Sequence, residues 1–393
     1  MATLGDYISI KHGYAFKGTG ITTEDNGIVL VTPGNFAIGG GFKEEKCKFF
    51  SGEYPSEFVF SPDDLIVTMT DLSKEMDTLG YSALVPKSSR VYLHNQRIGL
   101  ISITREGLDK HYLYWFMRTR NYQRTIAGRA SGTTVHHTSP SRIYEVEVDF
   151  PDVLTQKKIA SLLDAIEGKI QNNEEINENL IQQAQAIFTQ EFLMFDEVPD
   201  NWQEGSLLDI ADYLNGLAMQ KFRPKEGEQG LPVLKIKELR QGSCDANSEL
   251  CSPSIKPEYI VHDGDVIFSW SGSLLVDLWC GGTCGLNQHL FKVTSSKYDK
   301  WFYYAWTNHH LDKFAAIAAG MATTMGHIKR EELAKAEVLI PAKADYDRIG
   351  GLLAPLYDLV IANRIENRKL AALRDELLPQ LMSGQIDVSE VSL

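Results

Sequence analysis

Apolar residues recur at spacings of three and four through Ile159, Leu162, Leu163, Ile166, Ile170, Ile176, Leu180, Ile181, Ala184, Ile187 and Phe188. That period predicts one long amphipathic helix over 152–198, a stretch with no internal proline before Pro199. A second stripe runs through Ile349, Leu352, Leu353, Leu356, Leu359, Val360, Leu370, Leu373 and Leu377, and predicts a helix over 345–378. Pro355 predicts a kink or restart inside it, and Pro379 predicts its end. Forty helical residues span about 60 Å. A stripe that long cannot be buried on one small domain, so the two helices are expected to pair; the alternative is two surface helices, each packed on its own domain. Elsewhere, short apolar runs bounded by Gly, Pro and Asp predict strands at 27–32, 64–69 and 97–103, then an aromatic-rich helix over 113–126. The same order returns as strands at 231–236, 265–270 and 289–293 and a helix over 301–319.

The second series is a copy of the first. Thr133-Thr134-Val135-His136-His137 reappears as Thr323-Thr324-Met325-Gly326-His327, 190 residues on, and that offset holds for some fifty residues through Pro151/Pro341, Asn173/Asn363 and Leu180/Leu370. Earlier in each half it drifts, from 201 (Asp64 to Asp265) to 192 (Asn95 to Asn287). A repeat this long exceeds the unit of a solenoid. The expected organisation is a mixed α/β recognition domain at 1–150, a spacer helix at 151–200, a second mixed domain at 201–340, and a second helix with a tail at 341–393. The mixed parts have diverged with insertions; the helices have not. Glu174, Glu175 and Glu178 on the first helix and Arg364, Arg368 and Lys369 on the second suggest complementary faces, and each helix carries two asparagines four residues apart, Asn173/Asn177 and Asn363/Asn367.

Charge modifies this picture in two places. The net charge is -13, which argues against a nucleic-acid partner, but residues 151–200 alone hold 3 basic against 10 acidic side chains. Between Lys110 and Tyr144 there is no acid, while Arg118, Arg120, Arg124, Arg129 and Arg142 fall there, so a local basic face is compatible with an acidic chain. Five cysteines fit a reducing cytoplasm better than a disulfide framework. No run is apolar enough for a membrane span, and the first residues read as no signal peptide.

Catalytic motifs are missing: no phosphate loop, no nucleophile elbow, no Asn-Pro-Pro-aromatic tetrapeptide. Cys244, Cys251, Cys280 and Cys284 lack zinc spacing and have no counterpart set in the first half. What recurs is a polar set at matching places. The first half offers Tyr14, Phe16, Lys17, Asn35, Thr68, Thr70, Gln96, Arg97, Thr133, Thr134, His136 and His137. The second offers Asn215, Arg223, Lys235, Lys237, Ser269, Ser271, Asn287, Gln288, His289, Thr323, Thr324 and His327. Asn and Gln can read adenine edges, Arg can read guanine, and hydroxyls and Lys suit phosphate. Residue type alone does not separate such a set from polar turn caps.

On three motifs the chain resembles the specificity subunits of type I restriction–modification systems. They are Leu4-Gly5-Asp6 leading to Gly13-Tyr14-Ala15-Phe16-Lys17; Gly132-Thr133-Thr134-Val135-His136-His137-Thr138; and Gln156-Lys157-Lys158-Ile159-Ala160 with Leu162-Leu163-Asp164. Asn215-Gly216, Thr323-Thr324 and Asp347-Arg348-Ile349 hold the same places in the second half. The resemblance implies two target-recognition domains, each binding half of a split sequence in double-stranded DNA, and two long helices pairing as an antiparallel coiled coil. It further implies two methyltransferase subunits that carry S-adenosylmethionine, with room for two translocase–endonuclease subunits, and no chemistry or bound cofactor in this chain. Glu174, Glu175, Glu178, Arg364 and Arg368 are then the expected partner-docking residues. The second half departs from the pattern at Gly216-Leu217-Ala218-Met219 and Met325-Gly326, which puts its base contacts in doubt. The rivals are a coiled-coil scaffold that never touches DNA and the specificity half of a type II-like system.

Overall fold

The computed structural model describes all residues except 1, 72, 74, 75, 133, 134, 195, 196, 321–327 and 393. The chain divides into two compact units, Met1–Glu167 with Ala372–Leu393, and Gly168–Ala371. Each unit therefore takes one mixed domain, part of the central helix Val153–Phe192 and part of the C-terminal helix Lys343–Met382.

In the first unit, strands Ile8–His12, Ile98–Ile103, Leu65–Thr68 and Ser82–Leu84 lie side by side in that order, all antiparallel. A second sheet orders Ile21–Thr22, Lys48–Phe50, Ile28–Val31 and Val91–His94, its last pair parallel. Strand Leu65–Thr68 is buried on both faces, as its unbroken apolar run requires. Leu65 and Val67 join the core built with the helices, while Ile66 joins the core under the second sheet. The second unit repeats this with Asp212–Asn215, Leu290–Thr294, Val266–Ser269 and Leu275–Leu278 in one sheet. Its second sheet again holds a parallel pair, Leu231–Leu234 beside Cys284–Leu286. Val266 and Phe268 face the helices and Ile267 faces the other sheet.

The strands fall where the apolar runs place them; the helices differ in three respects. Each aromatic-rich helix is two: Lys110–Phe116 then Arg120–Gly128, and Lys300–His309 then Leu311–Gly320. Thr119 breaks the first by accepting from the Tyr122 N–H as an N-cap. At the second break, His310 bonds through Nε2 to the Glu337 carbonyl. Pro355 and Pro379 neither restart nor end the C-terminal helix, which continues to Met382. Pro355 and Gly351, whose carbonyl loses its usual donor, are both exposed, so water meets the freed group.

The ends of the long helices serve as core. Ile159, Ala160 and Leu163 pack with Leu378, Leu381 and Val388 in the first unit; Ala184, Phe188 and Phe192 pack with Ile349, Leu353 and Tyr357 in the second. Within the second unit the two helices pair antiparallel through their asparagines. Asn173 donates to the Asn367 amide oxygen at 2.8 Å and to Glu366 at 2.7 Å, and Asn363 donates to Asn177 at 2.9 Å. Asn367 donates to the Ile170 carbonyl at 3.1 Å. Farther along, Arg348 grips Glu191 with both nitrogens. Of the residues expected to match Glu174, Glu175 and Glu178, which are Arg364, Arg368 and Lys369, the two arginines turn to the sheet. Arg364 bonds Asp277 at 2.7 Å, and Arg368 takes Asp263 two-pronged at 2.7 and 2.8 Å. These arginines fasten the helix to its own recognition domain, because that side of the helix faces the sheet and not the other helix. No helix among the described residues is long and apolar enough to cross a membrane.

Candidate nucleic-acid interface

Three strand ends meet at one edge of the antiparallel sheet in each unit. In the first unit they are the C-terminal end of Ile8–His12, the N-terminal end of Ile98–Ile103 and the C-terminal end of Leu65–Thr68. The chain leaves the first through Gly13 and Tyr14, enters the second through Asn95-Gln96-Arg97, and leaves the third through Met69 and Thr70.

Backbone hydrogen bonds fix this junction. Tyr14 bridges Asn95 in parallel register, the Gln96 N–H donates to the Tyr14 carbonyl at 3.0 Å, and the Ile98 N–H closes the turn on Asn95 at 2.9 Å. The second unit repeats each bond. Leu217 bridges Asn287, the Gln288 N–H donates to the Leu217 carbonyl at 2.9 Å, and the Leu290 N–H closes on Asn287 at 3.0 Å. The approach is so close that only glycine fits beside it: a Cβ on Gly13 would stand 2.3 Å from the Asn95 carbonyl oxygen, and one on Gly216 would stand 2.3 Å from that of Asn287.

On this frame the expected residues separate into three groups. Tyr14, Gln96, Arg97, Thr70, His136 and His137 come together in the first unit. Tyr14, Gln96, Arg97 and His137 are exposed, and the Tyr14 ring leans on Phe16 and Phe58. His136 and His137 pair with Asp71 and Thr70, and Thr70 Oγ1 lies 3.1 Å from His137 Nδ1. Asn215, Ser271, Gln288 and His289 gather likewise in the second unit, with Ser271 Oγ 3.3 Å from His289 Nδ1 and Gln288 Nε2 3.3 Å from His289 Nε2. A hydroxyl thus meets an imidazole in both units, although the imidazole comes from a different loop in each.

The second group is buried and holds the loops. Asn35 is 1% exposed; its oxygen accepts from the Thr32 N–H and its nitrogen donates to the Lys43 carbonyl. Thr68 and Ser269 are fully buried, each bonded to the loop that follows, and Asn287 accepts from the His289 N–H. The third group lies in surface ion pairs: Arg223 and Lys235 with Glu249, Lys237 with Asp245. Phe16 packs on Phe50, and Lys17 is exposed. Thr133, Thr134, Thr323, Thr324 and His327 lie outside the described residues.

Charged groups near the junction are held in distinct ways. Asp71 is 3% exposed; burial opposes its charge, but the N–H groups of Ser73 and Thr78 and the Thr78 hydroxyl hold its carboxyl below the usual range. That carboxylate faces its own loop. Arg120 and Arg124 stand exposed one turn apart on Arg120–Gly128, whose Ile126 lies under the Gly80 turn beyond this loop. His94, buried, has its pKa pushed down to about 4; neutral, it spans the Asn95-Gln96-Arg97 turn by a 2.9 Å bond to the Ile98 carbonyl. Trp270, outside the expected set, also belongs to the junction and donates to Asn215 at 3.1 Å; its match to Met69 at the 201 offset is the signal for it in the sequence. Among the described residues, no group of three or more His, Cys, Asp or Glu side chains has metal-holding geometry.

The family model described as the type I restriction modification DNA specificity domain matches residues 1–182 and again 199–374. The type I restriction enzyme MjaIX specificity subunit of Methanocaldococcus jannaschii is 24% identical over 311 residues, 74% of this chain and 72% of that protein. The EcoKI specificity subunit of Escherichia coli K12 is 24% identical over 252 residues, 58% of this chain and 51% of that one. The crystal structure of a type I restriction-modification S subunit from M. genitalium aligns with a TM-score of 0.60 over 96% of this chain and 94% of that one, at 15% identity, a likeness of fold.

Proposed function

The chain belongs to the type I restriction modification DNA specificity domain family, and from that premise we infer that each unit binds one half of a split duplex target. The observation that supports this most is the doubled junction: the same three strand ends, the same glycine and the same Asn-Gln turn, each with different side chains around it. A fixed frame with divergent polar loops suits two different half-sites.

In this reading Tyr14, Gln96, Arg97, His136 and His137 reach one half-site, and Asn215, Gln288 and His289 reach the other, with the buried hydroxyls of Thr70 and Ser271 orienting His137 and His289. Lys17, Arg120 and Arg124 sit on phosphate, with Arg223, Lys235 and Lys237 at the periphery where their acid partners can be exchanged for phosphate. Asn35, Thr68, Ser269 and Asn287 shape the loops. The chain works with methyltransferase and restriction subunits; two methyltransferases, each carrying its own S-adenosylmethionine, dock on the helices, where Glu174, Glu175 and Glu178 are exposed. The chain contributes no catalytic group, and the assembly acts in the cytoplasm.

The test is duplex binding by the chain with its neighbouring methyltransferase across a salt series. A linear fall of log affinity with log salt, with sequence preference at moderate salt, supports the reading. A coiled-coil scaffold predicts no salt-dependent binding, and that result rejects it.

A further inference from the structure

Within each Asn-Gln turn the third position differs: Arg97 in one unit, His289 in the other. The two turns are held by the same backbone bonds and by the same glycine approach. Asn95 and Asn287 sit in the frame, and Gln96 and Gln288 are common to both units. Residue type at the first two positions therefore does not distinguish the half-sites, while the third does.

We propose that Arg97 and His289 are specificity-determining residues that read non-equivalent bases at matching places of the two half-sites, a step that rests on the DNA-specificity reading above. The surroundings differ in a way that changes what each can read. Arg97 is exposed, with no ion-pair partner among the described residues, and its carbonyl is anchored by the Met69 N–H at 3.1 Å. Its guanidinium is free to present two parallel N–H donors, the geometry that selects guanine O6 and N7 in the major groove. His289 has no such fork. Its Nδ1 faces the Ser271 hydroxyl, its Nε2 faces the Gln288 amide, and the Trp270 ring lies 6.2 Å away. Both ring nitrogens have protein partners, so a base edge meets this imidazole only by taking Nε2 from the Gln288 amide. In the first unit the hydroxyl matching Ser271 is Thr70, which is occupied by His137, so Arg97 is not drawn onto it.

The experiment uses the full chain with its methyltransferase partner. Sequencing of methylated genomic DNA first defines the wild-type motif; competition binding then compares oligonucleotides altered at each base of each half-site. Arg97→Ala is expected to flatten discrimination at one guanine of one half-site by about 5- to 150-fold, the range of a two-pronged base contact, and to leave the other half-site unchanged. His289→Ala should flatten one position of the other half-site only. The exchange variants Arg97→His and His289→Arg should shift the preferred base at those positions. Unchanged discrimination in these variants, or an equal loss of affinity for all sequences, overturns the proposal. If the wild-type complex yields no split motif, the DNA-specificity reading itself fails, a distinct outcome.

Discussion

Gly13 and Gly216 carry the same backbone demand at two places 203 residues apart, and the demand is steric. A methyl group on Gly13 meets three backbone atoms of His94 and Asn95 within 2.4 Å, so the strand exit must move. Gly13→Ala is expected to lower stability by about 1–3 kcal/mol, whereas Gly18→Ala, with nothing within 4 Å, stays within about 0.5 kcal/mol; denaturant titration of both measures this. His111 supplies a pH-dependent contact. Its Nδ1 lies 2.7 Å from Asp164 and its Nε2 3.5 Å from Asp63, and Trp115 donates to the other Asp164 oxygen at 2.7 Å. The bond to Asp164 raises the His111 pKa against burial, helped by both carboxylate charges. Its proton is held more tightly folded than unfolded, so the added stability is complete below the ordinary value of 6.5 and disappears as pH rises through the raised value. The stability difference between wild type and His111→Asn should therefore be larger at pH 6 than at pH 8.5 in parallel denaturation series; a difference that grows with pH contradicts it.

At the scale of elements, the asparagine pairs set helix register in the second unit. Asn173 is 1% exposed, and its amide serves Asn367 and Glu366 together. Asn173→Ala or Asn367→Ala is expected to cost about 1–3 kcal/mol each, and the double variant less than their sum, since the two lose one shared bond; a double-mutant cycle in urea reads the coupling. These asparagines were legible as a repeated pair because both helices keep them at one offset. The strands were legible because short unbroken apolar runs between turn residues leave little alternative. Pro355 does not restart the helix, because Gly351, whose carbonyl loses its donor, is exposed, a feature that local propensity does not carry. Arg364 and Arg368 turn to Asp277 and Asp263 and not to the other helix, because a helical period says which residues share a face, not which third element packs there. Asn35 looked like a base-reading residue until its bonds to Thr32 and Lys43 placed it inside a turn. The same limit explains the linkage of helix starts: the Asp109 N–H is accepted by Gln156, and the matching Asp299 N–H by Tyr346, two unlike residues in one structural role.

For the whole molecule, division of labour follows from where the copies diverge. Loops at the strand-end junctions vary; the helices keep their pattern and expose acid, which repels phosphate and suits a protein surface. Lysine at Glu174, Glu175 and Glu178 together is expected to weaken assembly with the methyltransferase by at least tenfold in co-purification titrations while leaving half-site discrimination intact; the opposite pattern would place DNA on the helices. The central claim, that one chain reads two half-sites with two units, is tested most directly by sequencing methylated DNA from cells that express the chain with its methyltransferase partner. The account predicts a single split motif with one adenine methylated in each half and a fixed gap of unspecified bases. Methylation at one continuous motif, or at none that depends on this chain, would contradict it.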